Sequence, residues 1–270
     1  SNSSAASDVY KRQLYKQSLY PLMIETDKNR YQQKLICLKG YPGFRTVTDA
    51  YKLYTKYIYD PIAVLAASKI NLLPYQLEDF FNLIDMADRG HVRVLIAYET
   101  GLGKTILAGL FIKEMILRYN TKRILILCPP NVRYQWKDEL ETKFGIHSIL
   151  FTDIKNSEHP WEEENIIIAS MDTLKGDRYL SDLENVKWDI VVVDELHRAS
   201  PGNLRSKLIR ILSRNTKHMI GLTATPHDGK DENFIHRLSL INQIITENNW
   251  EDFVRNCTFR RKKKEVKDIY

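Results

Sequence analysis

Two short clusters in the 270-residue chain combine residue types that can do phosphate chemistry. The first is Gly101-Leu102-Gly103-Lys104-Thr105, with two glycines, an ammonium and a hydroxyl in five consecutive positions. Glycines let backbone N–H groups close around phosphate oxygens, and a helix starting there adds its partial positive charge. Lys104 suits β- and γ-phosphates, and the Thr105 hydroxyl suits Mg²⁺. The usual phosphate-loop pattern also wants a glycine at position 98, where this chain carries Tyr98. The second cluster is Asp194-Glu195, directly after the apolar run "DIVVV". Asp194 can hold Mg²⁺, directly or through water, while Glu195 can orient and deprotonate an attacking water. His197 and Arg198 follow at once. A plain glycine-rich turn and a pair of solvated acids are the bland alternatives. Both clusters occurring together at the ends of apolar strands favours chemistry.

The segments around the clusters predict the elements that position them. "VRVLIAYE" (92–99), "RILILCPP" (123–130), "HSILFTD", "NIIIASM", "DIVVVDE" (189–195) and "HMIGLTAT" (218–225), the last, read as strands. They are near-continuous Val/Ile/Leu runs separated by helical stretches, which predicts an α/β fold: a mostly parallel sheet with helices on both faces. Ligands of such sheets bind at the carboxyl ends of the strands, where both clusters lie. Asn131 is placed to cap a helix along which Val132, Trp136, Leu140 and Phe144 recur every fourth position. Residues 1–68 predict a largely helical, tyrosine- and lysine-rich extension with a disordered start.

The bulk composition excludes several classes. Hydrophobic residues make up 43% and charged residues 27%, as in ordinary soluble domains. No apolar run approaches a membrane span, and the N-terminal stretch lacks the plan of a secretory signal. The three cysteines, Cys37, Cys128 and Cys257, match neither a zinc spacing nor a disulfide framework, which predicts an intracellular protein. A net charge of +6, from 40 basic and 34 acidic residues, is compatible with a polyanionic partner.

"GLGKT", "DELHR" and "GLTATP" resemble motifs I, II and III of superfamily 2 helicases and translocases, in that order. The chain is most similar to the Swi/Snf-type ATPases and their RapA-like relatives. Their first motif has the form A-D-E-x-G-L-G-K-T, which matches Ala97, Glu99, Gly101, Leu102, Gly103, Lys104 and Thr105. "LLPYQLEDF" (72–80) resembles their L-x-P-Y-Q segment, "PPNVRYQWKDEL" (129–140) motif Ia, and "IIIASMDTL" (166–174) motif Ib. "GLTATPHDG" (221–229) favours the RapA-like side, and "FRRKKKEV" (259–266) resembles the R-R-x-K-x-x-V segment closing the first lobe. Departures are Leu196 for the alanine of D-E-A-H, Tyr98 for an acid and Thr100 for methionine or valine; none removes a group that touches phosphate or metal.

The resemblance implies a RecA-like P-loop lobe over 69–258 that binds ATP and Mg²⁺, with 259–270 a junction toward a second lobe; the basic run Arg260 to Lys264 is expected to be solvated. It implies nucleotide contacts from Gln76, which would read adenine, and from Thr100 through Thr105. Mg²⁺ would be held by Thr105 and Asp194. Lys104, Asp194, Glu195 and His197 would carry catalysis, His197 coupling to Thr223 and Thr225. Asn131, Arg133 and Ser170 would contact a nucleic-acid backbone; for Asn131 a simple helix cap, and for Arg133 a solvated helix residue, are the alternatives. Double-stranded DNA is the implied partner, with RNA or single-stranded DNA as alternatives. Rival readings are a strand-separating helicase, a restriction-type motor lobe and a catalytically silent nucleotide-binding scaffold. The residues after Thr225 are too few for a second parallel-sheet domain, so a second RecA-like lobe is expected from elsewhere, in cis or in trans. Tyr98 is expected to pack beside the loop or face that lobe.

Overall fold

The computed structural model describes residues 68–227 and 229–267, and the expected N-terminal extension lies outside them but for Ser68. Seven strands form one sheet: β1 (Arg93–Tyr98), β2 (Ile124–Cys128), β3 (Ile149–Leu150), β4 (Ile166–Ser170), β5 (Trp188–Val193), β6 (Thr216–Leu222) and β7 (Thr258–Arg261). Their spatial order is β3-β4-β2-β5-β6-β1-β7, and every pair is parallel. The principal helices are α1 (Pro74–Asp88), α2 (Lys104–Tyr119), α3 (Arg133–Phe144), α4 (Leu204–Arg214), α5 (Asp231–Ile241) and α6 (Trp250–Cys257).

Side chains alternate along each strand, and both faces are covered, which is why the strands read as unbroken apolar runs. Val94, Ile96, Ile124, Ile126, Ile190 and Val192 pack with α1, α2 and α3. Leu95, Leu125, Leu127, Val191 and Val193 pack on the opposite layer with α4 and α5. The doubly covered parallel sheet is the expected fold class. Because all strands run the same way, the residues after β1, β2, β5 and β6 emerge on one edge.

Three local expectations give way. "HSILFTD" pairs only at Ile149 and Leu150, and the chain then turns into a one-turn helix, Phe151–Ile154. Phe151 and Ile154 share one side of that turn and are both buried, and Phe151 stacks on Trp161 at 4.6 Å; burial of these side chains outweighs strand propensity. Asn131 does not cap α3. Pro130 opens a 3₁₀ turn over Pro130–Val132, so Val132 takes the cap position and Asn131 stands exposed. Finally, β6 is not the last strand. Thr258–Arg261 adds β7 beside β1, so part of the basic run is built into the sheet rather than solvated.

Candidate nucleotide site

The loop after β1 owes its shape to its glycines. Gly101 and Gly103 take φ values of 88° and 83°, the left-handed region that side chains disfavour. A Cβ on Gly103 would also lie 2.4 Å from the Gln76 amide nitrogen, so a side chain there would be strained and would have to displace Gln76. The Leu102 carbonyl turns toward α1, where it accepts from the Tyr75 hydroxyl at 2.9 Å and the Gln76 amide at 3.1 Å. Gln76 is further committed by accepting the Leu73 N–H at 3.0 Å, at the start of α1. Gln76 therefore braces the loop against the helix.

With the Leu102 carbonyl held that way, the N–H groups of Gly101, Gly103, Lys104 and Thr105 have no acceptor among the described residues. Four open donors at the N-terminus of a 16-residue helix make an anion site. Thr100 is exposed, and the Thr105 hydroxyl has no hydrogen-bond partner among the described residues. The Lys104 ammonium donates to the Tyr98 carbonyl at 3.1 Å. Burial lowers its pKa, and the charges of Glu195 and Asp194 oppose that shift, so the two clusters lie within electrostatic reach of each other.

β5 delivers the acids. The Asp194 N–H extends the ladder by donating to the Leu127 carbonyl at 2.7 Å. Its carboxylate accepts the Glu195 N–H at 2.9 Å on Oδ1 and the Trp136 indole N–H at 3.0 Å on Oδ2. Burial raises the Asp194 pKa, and these hydrogen bonds work against that. Glu195 has φ 53°, one of two non-glycine residues in the left-handed region among those described. Such a conformation costs about 1–3 kcal/mol and is common at functional sites. It turns the chain into the 3₁₀ turn Leu196–Arg198 and brings the Glu195 carboxylate 3.0 Å from His197 Nδ1. That contact lowers the Glu195 pKa, keeping it ionised. The same His197 nitrogen lies 3.2 Å from the Thr223 hydroxyl, which in turn accepts the Thr225 N–H at 3.1 Å. Thr225 thus reaches His197 only through Thr223.

The nucleic-acid candidates fare unevenly. Asn131 is exposed, Arg133 is half-buried with its Nε donating to the Pro130 carbonyl, and both lie near the end of β2. Ser170 is buried, and its hydroxyl caps the turn Met171–Leu174 by accepting the Asp172 N–H. Its side chain is therefore not offered to a strand.

Two residues that sequence reasoning missed, Asp79 and Arg261, stand with Tyr98 around the loop. Tyr98 is fully buried and packs beside the loop: its hydroxyl donates to Asp79 Oδ2 at 2.5 Å, and its ring meets Tyr75 edge-on at 5.7 Å. Arg261 reaches the same carboxylate from β7, so it departs from the expectation that Arg260 to Lys264 are a solvated run, while the other four residues of the run are exposed. One signal was available: Asp79 stands at an apolar position of α1, four residues after Tyr75 and four before Leu83.

The family model described as "Type III restriction enzyme, res subunit" matches residues 69–228. The chain belongs to that family. Within it, the chain is a superfamily 2 ATPase lobe of the Swi/Snf-type, RapA-like kind. It is 32% identical over 205 residues to the RNA polymerase-associated protein RapA of Serratia proteamaculans, covering 72% of this chain and 21% of that protein. To RapA of Yersinia enterocolitica it is 33% identical over 192 residues, covering 67% and 20%. The chain spans about a fifth of these relatives. In fold it resembles the Sulfolobus solfataricus SWI2/SNF2 ATPase core solved with double-stranded DNA (TM-score 0.60, 22% identity, 73% of this chain and 45% of that one). It also resembles the Pyrococcus furiosus Hef helicase domain (TM-score 0.53, 20% identity, 73% and 42%).

Proposed function

We propose that the chain is the ATP-binding and hydrolysing first lobe of a DNA translocase, coupling ATP turnover to movement along double-stranded DNA. The observation that carries the ATP reading is one edge of the sheet holding four open loop N–H groups, the half-buried Lys104 ammonium and the Asp194-Glu195 pair. The likeness to the SWI2/SNF2 core solved with double-stranded DNA supports the DNA partner. Thr105 and Asp194 fit Mg²⁺: the hydroxyl is unengaged among the described residues, and each Asp194 oxygen accepts a single hydrogen bond, leaving a lone pair. When bound, the ion supplies charge neutralisation at the β- and γ-phosphates. Lys104 leaves its carbonyl for the phosphates, and Glu195, kept ionised by His197, takes the proton of the attacking water. Gln76 reads adenine in this scheme only if its amide exchanges a present partner. A second RecA-like lobe, in cis or in trans, completes the site with an arginine; the lobe supplied by this chain, expected over 69–258, takes in β7 and so extends to Arg261.

Glu195→Gln tests the reading. In the two-lobe protein it should abolish DNA-stimulated ATP hydrolysis while ATP binding persists; unchanged turnover would sink the catalytic assignment and leave a nucleotide-binding scaffold. The match to a restriction-enzyme family and the likeness to a helicase domain support a second reading, a strand-separating or restriction-type motor. Stimulation by single strands or RNA in preference to duplex DNA, or separation of duplex strands, would select it.

A further inference from the structure

Arg261 and the phosphate loop are joined by a short chain of contacts. Arg261 Nε and the Tyr98 hydroxyl share Asp79 Oδ2, at 3.0 and 2.5 Å, while Arg261 Nη2 lies 2.5 Å from Oδ1. Asp79 is 1% exposed, so its charge has no water to fall back on. A buried carboxylate stripped of its cation is strongly destabilised, and this pair is bidentate. The guanidinium also lies 5.9 Å from the centre of the Tyr75 ring. Tyr75 is the residue whose hydroxyl holds the Leu102 carbonyl.

The same stretch of chain grips the loop entrance. The Glu99 N–H donates to the Arg261 carbonyl at 3.0 Å, and the Glu99 carboxylate accepts the Lys263 N–H at 2.6 Å. Arg261 thus touches the loop twice, at its first residue through the backbone and at its middle through Tyr75.

We infer that Arg261 is a positioning residue for the phosphate loop. Paired with Asp79 and laid against Tyr75, it keeps the Leu102 carbonyl turned to α1 and the loop N–H groups open to phosphate. The inference rests on the loop binding nucleotide, as proposed above. It adds that the path of the chain through Arg261–Lys263 is felt at the nucleotide.

Titration of the full chain with a fluorescent ATP analogue and Mg²⁺ tests this, with thermal melting alongside. Tyr75→Phe removes one hydrogen bond, and Arg261→Gln removes the cation. Each should weaken the Kd by about three- to tenfold, the range that loss of one buried hydrogen bond allows. Tyr75→Phe should do so with little change in Tm. Because both act through one carbonyl, the double variant should be no weaker than the worse single one. Arg261→Lys should recover at least half of the loss seen with Gln. Unchanged affinity in Tyr75→Phe, or losses that multiply, would overturn the inference; if Arg261→Gln fails to fold, Tyr75→Phe and Arg261→Lys decide it. Lys104→Ala separates the two levels of failure. If it loses binding while the Tyr75 and Arg261 variants keep it, this inference alone is wrong. If the unsubstituted chain binds no nucleotide, or Lys104→Ala binds equally well, the proposed function goes with it.

Discussion

Asp194 must stay ionised to serve a metal, yet it sits where burial favours the protonated acid. The Trp136 indole, the Glu195 N–H and the Lys104 charge restrain the rise. Trp136→Phe fills nearly the same space and deletes one of them. The carboxyl pKa then climbs further, and the ionised fraction is lost at a higher pH than before. The acid limb of the ATPase pH profile of the two-lobe protein should therefore move upward, with turnover reduced several-fold near it; a coincident profile would show that the indole is mere packing. At this scale the sequence was legible wherever function uses contiguous residues, as in Gly101–Thr105 and Asp194–His197. It was opaque where partners are distant. The bond from Arg261 to Asp79 closes across 182 positions, and no local pattern announces it. Trp136 was readable as one of an apolar stripe on α3, but its N–H had no visible destination until β5 was placed beside β2.

Element packing yields two further expectations. Gly109 lies within α2, where alanine would normally favour the helix by about 1 kcal/mol. Here a Cβ would lie 2.4–2.9 Å from three ring carbons of the fully buried Phe144 on α3. Overpacking of that kind costs about 1–3 kcal/mol, so the clash wins and Gly109→Ala should lower the Tm by several degrees. A rise in Tm would mean that α3 can slide. The second concerns His218 on β6, whose Nδ1 accepts the Val92 N–H at 3.0 Å. Burial pushes its pKa down to about 4. The unfolded chain binds this proton near pH 6.5, the folded one only near 4, so the stability it supports is present above 6.5 and drains as pH falls through that window. The loss approaches roughly 3 kcal/mol at the lower end. His218→Gln should flatten the decline of Tm between pH 6.5 and 4, and an equally steep decline would place the sensitivity elsewhere. Strands whose apolar runs are long were evident beforehand. β3 was read in the right place but too long, and β7 was not read at all, because a two-residue strand and a basic one owe their pairing to neighbours rather than to propensity.

For the whole molecule, the decisive expectation concerns completeness of the catalytic site. The proposed function assigns an arginine to a second lobe, and such a finger is worth several orders of magnitude in rate. The chain alone should bind Mg-ATP weakly, hydrolyse it very slowly and respond little to DNA; robust DNA-stimulated turnover from it would refute the division of labour proposed here. The doubly covered parallel sheet was the most legible feature of all, since continuous apolar strands leave few other architectures.

The sheet's two outermost described strands have a bearing on how the protein behaves in company. An unpaired strand edge is a template on which other chains can extend a sheet. β3 offers only Ile149 and Leu150, and β7 is four residues long with Arg260 and Arg261 in it and Lys262, Lys263 and Lys264 following. One flank is too short to template anything, and the other repels its own kind. A fold with so apolar an interior is thereby guarded against aggregating side by side, and the residue that steadies the loop shares in that defence.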